Sequence, residues 1–241
     1  MSQVTANLML VKQRLELAAL AAKREPEDIQ LLAVSKTFPS RAIEEAMHAG
    51  QTAFGENYVQ EGVEKIQQLA KLRPWLQWHF IGPLQSNKTR EVAEYFDWVH
   101  SIDRLKIAER LSSQRGEFPE LGELQVCVQI NVSEEQSKSG ISLDEVEALC
   151  TAIAKLPNIA LRGLMAIPAP SEDIQQQHQA FAAVRECFSG IKAKHANDLG
   201  YDFFDTLSMG MSDDMEAAIV EGSTMVRIGS AIFGKRDKIK A

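Results

Sequence analysis

The stretch LLAVSKTFPS, residues 31–40, decides how this chain folds. Leu31, Leu32, Ala33 and Val34 read as a fully buried strand, and Lys36 follows at its end, with Pro39 three residues later. Pro39 and Gly50 bracket a helical pattern, PSRAIEEAMHAG, as its expected start and stop. A strand running into a helix fits two architectures. A doubly wound open sheet normally carries a glycine-rich fingerprint after its first strand. Here SKTFPS takes that place, which favours a closed barrel.

Working outward from this unit, short β-like runs alternate with longer helical ones. Strands are expected at residues 29–35, 52–55, 76–82, 98–102, 124–132, 160–167, 205–210 and 224–229. Helical patterns such as NYVQEGVEKIQQLAKL, RLKIAERLSSQ and SLDEVEALCTAIAKL lie between them. Eight strands in alternation with helices is the count of a (β/α)8 TIM barrel, and 241 residues match its usual length of ~250. Residues 3–23 precede the first strand as an extra amphipathic helix, with Leu8, Val11 and Leu15 at helical spacing. There is no internal repeat and no linker that would split the chain, so residues 1–241 are expected to form one domain.

Hydrophobic residues make up 45% of the chain and charged residues 24%, enough to bury a sizeable core. A net charge of −7 argues against broad binding to nucleic-acid phosphates. No apolar run approaches the ~20 residues that a membrane span needs. Lys12, Arg14 and Glu16 interrupt what would be the apolar core of a signal peptide. Cys127, Cys150 and Cys187 are odd in number, far apart and without CxxC spacing. They read as core thiols in a reducing compartment, so no metal site is expected and a cytoplasmic location is.

Lysine is among the residues least often buried, because its ammonium loses strong hydration. Lys36 could simply snorkel outward to an acid. In a barrel, however, the C-terminal strand ends form the active face, and a partly desolvated lysine there can form a Schiff base with a carbonyl. The other strand ends supply company. Glu56 and Asn57 follow the second strand; Gly210 and Ser212 follow the seventh; Gly229 and Ser230 follow the eighth. Glycine and serine before a helix make a phosphate cradle, commonly built in barrels from the loops after strands seven and eight. Ser212 could equally be an ordinary helix cap. Asp213 and Asp214 would repel a phosphate and must point away from one. Arg227, inside the apolar run TMVRIG, needs an acceptor. It pairs either with a carboxylate or with a heteroaromatic nitrogen or anionic ligand. A Schiff-base lysine, a phosphate cradle and an arginine between them together fit pyridoxal 5′-phosphate (PLP).

The motifs LLAVSKT, FGENYVQE, WHFIGPLQSNK, SIDR, SKSGI, RGLMAI, LSMGMSDDMEAAI and GSTMVRIGSAIFG extend over nearly the whole chain. Together they resemble the pyridoxal phosphate homeostasis protein family. The resemblance implies a barrel like the alanine racemase N-terminal domain, the type III fold of PLP proteins. It implies PLP held as an internal aldimine on Lys36, with Asn57 beside the ring and Ser212, Gly229 and Ser230 at the phosphate. Arg227 would face the pyridine nitrogen, and Ser208 would line the same pocket. Ser230 stands where many members have threonine, which keeps the hydroxyl. The racemase relatives carry a second, β-rich domain and use a tyrosine from a partner subunit as the opposing acid/base; that domain is expected to be absent here, which favours a monomer.

Three functions compete on these residues. The first is a carrier or regulator of vitamin B6 and amino-acid pools, with apo PLP-dependent enzymes as recipients and no membrane or nucleic-acid partner. The second is a PLP-dependent racemase or decarboxylase of small amino acids. The third is a Schiff-base aldolase using Lys36 without PLP, which would lack the yellow colour of the cofactor. Tyr58, His79 and Lys138 are the remaining candidates for an acid/base on the active face, though a strand histidine is more often a satisfied core residue. The carrier ranks first and the aldolase last.

Overall fold

The computed structural model describes residues 2–132 and 139–234. Lys138 and the last seven residues lie outside them. Eight strands close into a barrel in chain order: β1 (Gln30–Val34), β2 (Ala53–Glu56), β3 (Gln77–Phe80), β4 (Trp98–Ile102), β5 (Leu124–Ile130), β6 (Ile159–Ala166), β7 (Thr206–Ser208) and β8 (Met225–Ile228). Neighbouring strands pair in parallel all the way round, and β8 returns to β1 through Arg227 beside Leu32. All eight expected strands form, with ends within two residues of the expected ones.

The helices pack outside: α1 (Gln3–Ala21), α2 (Ser40–His48), α3 (Val59–Gln68), α4 (Thr89–Tyr95), α5 (Leu105–Arg115), α6 (Val146–Ile153), α7 (Ile174–Lys194), α8 (Met215–Val220) and α9 (Ser230–Phe233). Helix α2 starts after Pro39, whose φ of −71° suits a first turn, and stops before Gly50 at φ +81°. The fold is therefore the (β/α)8 barrel with an N-terminal helix that the sequence predicts.

The strand pleat sends alternate side chains to the two faces of the sheet. One set, including Phe54, Phe80, Val99 and Val128, forms the main core between sheet and helices. The other set fills the barrel, where Leu32, Val34, Ala53, Ile81, Trp98, Cys127, Met165 and Met225 make a separate cluster. Helix α1 lays Leu8, Val11, Leu15, Ala18 and Ala19 on the barrel. Its outer face is less polar than the expected amphipathic pattern, since Met9, Leu10, Leu17 and Leu20 are all exposed. Cys127 and Cys150 are buried and Cys187 partly so; all three are free thiols, and burial pushes each of their pKa values up. No helix among the described residues is long and apolar enough to cross a membrane.

Candidate functional site

The C-terminal strand ends enclose a cavity of about 220 Å³. Val34 and Lys36 line it from β1, Asn57 from β2, Ile81 from β3 and Ile167 from β6. Met211, Ser212 and Asp213 come from the loop after β7, and Arg227, Gly229 and Ser230 from β8 and the turn into α9. Six of the seven residues expected at the site thus share one cavity.

Ser208 is the exception. It does not line the cavity but stands behind it, fully buried, where its hydroxyl lies 2.8 Å from an Arg227 guanidinium nitrogen and 2.8 Å from His100 Nδ1. Strand β7 ends at Ser208, so its side chain belongs to a deeper layer of the interior than Ser212, which lies on the loop.

Arg227 is 4% exposed and has no hydrogen-bonded carboxylate among the described residues. It donates instead to the Ser208 carbonyl at 2.6 Å, the Ser208 hydroxyl at 2.8 Å and the Ala166 carbonyl at 2.9 Å. Burial pushes its pKa down to about 10, with Asp214 pulling the other way, so it remains a cation at neutral pH. An ion pair is therefore not what explains a guanidinium inside this strand.

The phosphate-cradle candidates sit on braced loops. Helix α8 begins at Met215 with Asp214 at the cap position, so Ser212 precedes the helix and does not cap it. Arg14 of α1 donates to the Ser212 carbonyl at 2.8 Å and forks onto Glu216 of α8, while Asn7 donates to the Ile232 carbonyl of α9 at 3.0 Å. The extra N-terminal helix thus ties down both halves of the cradle. Gly210, at φ +95°, makes the turn out of β7, and a Cβ there would meet the Ala218 methyl at 2.5 Å. Asp214 is outside the cavity lining, its carboxylate accepting the amide of the lining residue Met211 at 2.5 Å. Asp213 is in the lining, as an exposed residue.

Beneath Lys36 lies a cluster of charges that the sequence reading missed. Lys65 Nζ donates to the Ser35 carbonyl at 2.8 Å, to Glu56 at 2.7 Å and to Glu61 at 2.6 Å. The Ser35 hydroxyl also donates to Glu56, and Glu61 accepts the Thr37 amide at 2.5 Å. Glu56 is fully buried on the outer side of β2, not on the cavity; burial pushes its carboxyl up to about 7, against the pull of Lys65 and Ser35. Thr37 is held at φ +68°, rare for a β-branched residue. The backbone on both sides of Lys36 is therefore anchored from below. The i, i+4 spacing of Glu61 and Lys65 on α3 was the available signal, but it reads equally well as a surface pair.

Asn57 is placed by Gly82, where a Cβ would come within 2.1 Å of the Asn57 carbonyl oxygen. Its own Oδ1 is buried without a hydrogen-bond partner in the protein. Tyr58 is 57% exposed and does not line the cavity. His79 is fully buried inside the barrel with both ring nitrogens hydrogen-bonded, the satisfied core histidine of the more ordinary expectation. His100, its partner, was not singled out by the sequence.

Comparison with known proteins gives this geometry its relatives. Residues 10–237 match the family described as alanine racemase, N-terminal domain. The pyridoxal phosphate homeostasis protein of Escherichia coli K12 is 55% identical over 241 residues, covering 100% of both chains. A crystal structure of an unknown protein from Bifidobacterium adolescentis superposes with a TM-score of 0.88 at 34% identity, covering 96% of this chain and 94% of that one. PipY of Synechococcus elongatus, solved with PLP bound, gives a TM-score of 0.78 at 37% identity, over 91% of this chain and 98% of its own. On barrel, sequence and coverage alike, the chain belongs to the pyridoxal phosphate homeostasis protein family, built on the alanine racemase N-terminal fold.

Proposed function

We propose that this protein holds pyridoxal 5′-phosphate reversibly, as a Schiff base on Lys36, and serves intracellular B6 and amino-acid homeostasis as a carrier without catalytic turnover. One observation carries the binding reading. An amine (Lys36), a cradle (Ser212, Gly229, Ser230) and a buried guanidinium (Arg227) line a single cavity of about 220 Å³. These are the partners that the aldehyde, phosphate and ring nitrogen of PLP require. The unpartnered Asn57 Oδ1 in the same lining is a buried acceptor left for a ligand donor. PLP, when bound, supplies an electrophilic aldehyde on an electron-withdrawing ring.

What the residues offer around that group favours holding it over turning it over. Among the described residues, the titratable side chains of the lining are Lys36, Asp213 and Arg227. A racemase needs an acid and a base on opposite faces, each contributing typically ~10²–10⁴-fold. Lys36 can serve one face; Asp213 sits exposed among the loop residues, and no tyrosine, histidine or cysteine among the described residues lines the cavity. Arg227 at the ring nitrogen keeps that nitrogen unprotonated and weakens the electron sink. In this reading the protein works in the cytoplasm as a monomer and passes PLP to apo-enzymes.

Two experiments test the proposal. Borohydride reduction followed by peptide mapping is expected to find the pyridoxyl group on Lys36, and Lys36→Ala to lose it. Attachment elsewhere, for example on Lys138, removes Lys36 from the role. Holo-protein incubated with L-alanine in deuterated water is expected to show no enzymatic Cα exchange. Turnover in the range of ~1–10³ s⁻¹ would promote the racemase reading over the carrier.

A further inference from the structure

Behind Arg227, a chain of polar side chains crosses the otherwise apolar barrel interior. The Arg227 guanidinium meets Ser208 Oγ at 2.8 Å, and Ser208 Oγ meets His100 Nδ1 at 2.8 Å. His100 Nε2 meets His79 Nδ1 at 2.9 Å, and His79 Nε2 meets Gln77 Oε1 at 3.0 Å. Gln30 Nε2 closes the far end on Gln77 Oε1 at 3.1 Å. Five strands contribute: β8, β7, β4, β3 and β1.

Both ends of the chain set the same direction for its protons. Arginine can only donate, so Ser208 Oγ accepts from Arg227 and passes its single proton to His100 Nδ1. At the far end, Gln77 Oε1 can only accept, so His79 carries its proton on Nε2 and presents Nδ1 bare. Burial holds His79 at a pKa of about 3 and His100 well below the ordinary range, so each ring is neutral with one proton. His100 Nε2–H therefore donates to His79 Nδ1, and His100 Nδ1 is left to accept from Ser208. Each member has one role, and none can reverse without leaving a buried group unpaired.

That polarity matters at Arg227. Two of its acceptors are backbone carbonyls, which stay acceptors whatever happens around them. The third is a hydroxyl, which accepts reliably only while its proton is committed elsewhere. His100 secures that commitment, and His79 secures the tautomer of His100. Polar columns are costly in a barrel core, where apolar side chains would pack without desolvation.

We propose that His100 and His79 are positioning residues for Arg227. The chain they form aims the guanidinium at the ring-nitrogen end of the cavity and so sets the preference of the site for a pyridine ring over a carbocycle of the same shape. The inference rests on the PLP-binding reading above. It is tested with PLP and its 1-deaza analogue, which keeps aldehyde and phosphate but replaces the ring nitrogen with C–H. Affinities are measured for the wild type, His100→Leu and His79→Leu by titrating the ligand chromophore.

The wild type is expected to prefer PLP by about tenfold or more, the size of one charge-assisted hydrogen bond. In His100→Leu the preference is expected to fall toward unity while affinity for the deaza analogue changes by less than about threefold; His79→Leu, one link further away, lies between. If His100→Leu does not fold, His79→Leu and Gln77→Leu, at the partly exposed end of the chain, decide. A wild type that binds both ligands without preference would refute Arg227 as the ring-nitrogen partner and overturn the inference while leaving PLP binding intact; a wild type that binds neither would refute the binding reading itself. A preference retained in the folded variants, or equal loss of both ligands, would reduce the histidines to core packing and overturn the inference.

Discussion

Glu56→Gln isolates the buried carboxyl under Lys36. In the folded protein this group is shielded from water on every side, with one oxygen bonded to Lys65 and Ser35 and the other, Oε2, unpartnered. Burial raises its pKa from 4.5 to about 7 despite the lysine. A raised carboxyl pKa means that the folded state binds the proton more tightly than the unfolded one. The stabilisation is fully present below pH 4.5 and is lost as the pH rises through about 7. At 1.36 kcal/mol per pH unit, the rise corresponds to about 3 kcal/mol. Glutamine does not titrate, so wild-type stability minus Glu56→Gln stability should decline by about that amount between pH 5 and pH 8. The assay is urea unfolding followed by tryptophan fluorescence at several pH values, with both proteins in the same cofactor state. His79 and His100, whose lowered pKa values pull stability the opposite way on acidification, are common to both proteins and cancel in the difference. A difference that is flat from pH 5 to pH 8 would show that Glu56 stays ionised throughout and that attraction to Lys65 outweighs burial.

Three further outcomes follow from the same geometry. Ser212→Ala should weaken PLP by about tenfold or more but leave pyridoxal, which has no phosphate, nearly unchanged; equal weakening of the two would assign Ser212 to the loop and not to the ligand. Gly82→Ala forces a Cβ to within 2.1 Å of the Asn57 carbonyl, so it should cost stability of order 1–3 kcal/mol and lower PLP affinity together, read by thermal unfolding and equilibrium binding. Thr37→Gly should relieve the strain of φ +68°, worth about 1–3 kcal/mol, against an entropic cost of about 0.5–1 kcal/mol. The expected net is a Tm higher by a few degrees, and a lower Tm would show that the threonine side chain stabilises the backbone after Lys36.

The sequence by itself determined the barrel and most of the lining of its cavity. Residues 31–40 put a lysine where a glycine fingerprint would have marked an open sheet, and strand alternation with helices is a local pattern that survives folding. Lys36, Asn57, Ser212, Arg227, Gly229 and Ser230 were legible because a barrel's active face is defined by position along the strand, which can be counted. Depth across the barrel cannot be counted. Ser208 sits one layer below the cavity, and Asp213 is in the lining while Asp214 is not; loop geometry alone separates them. The tertiary structure likewise decided which groups meet. Glu56 finds Lys65 beneath Lys36, and Ser208 meets His100 across 108 residues of chain, because closure brings strands that are far apart in sequence within hydrogen-bonding distance. Those contacts set the charge state of Glu56 and the proton direction behind Arg227. Both depend on burial and on partners in space, and neither is a property of any local stretch of residues.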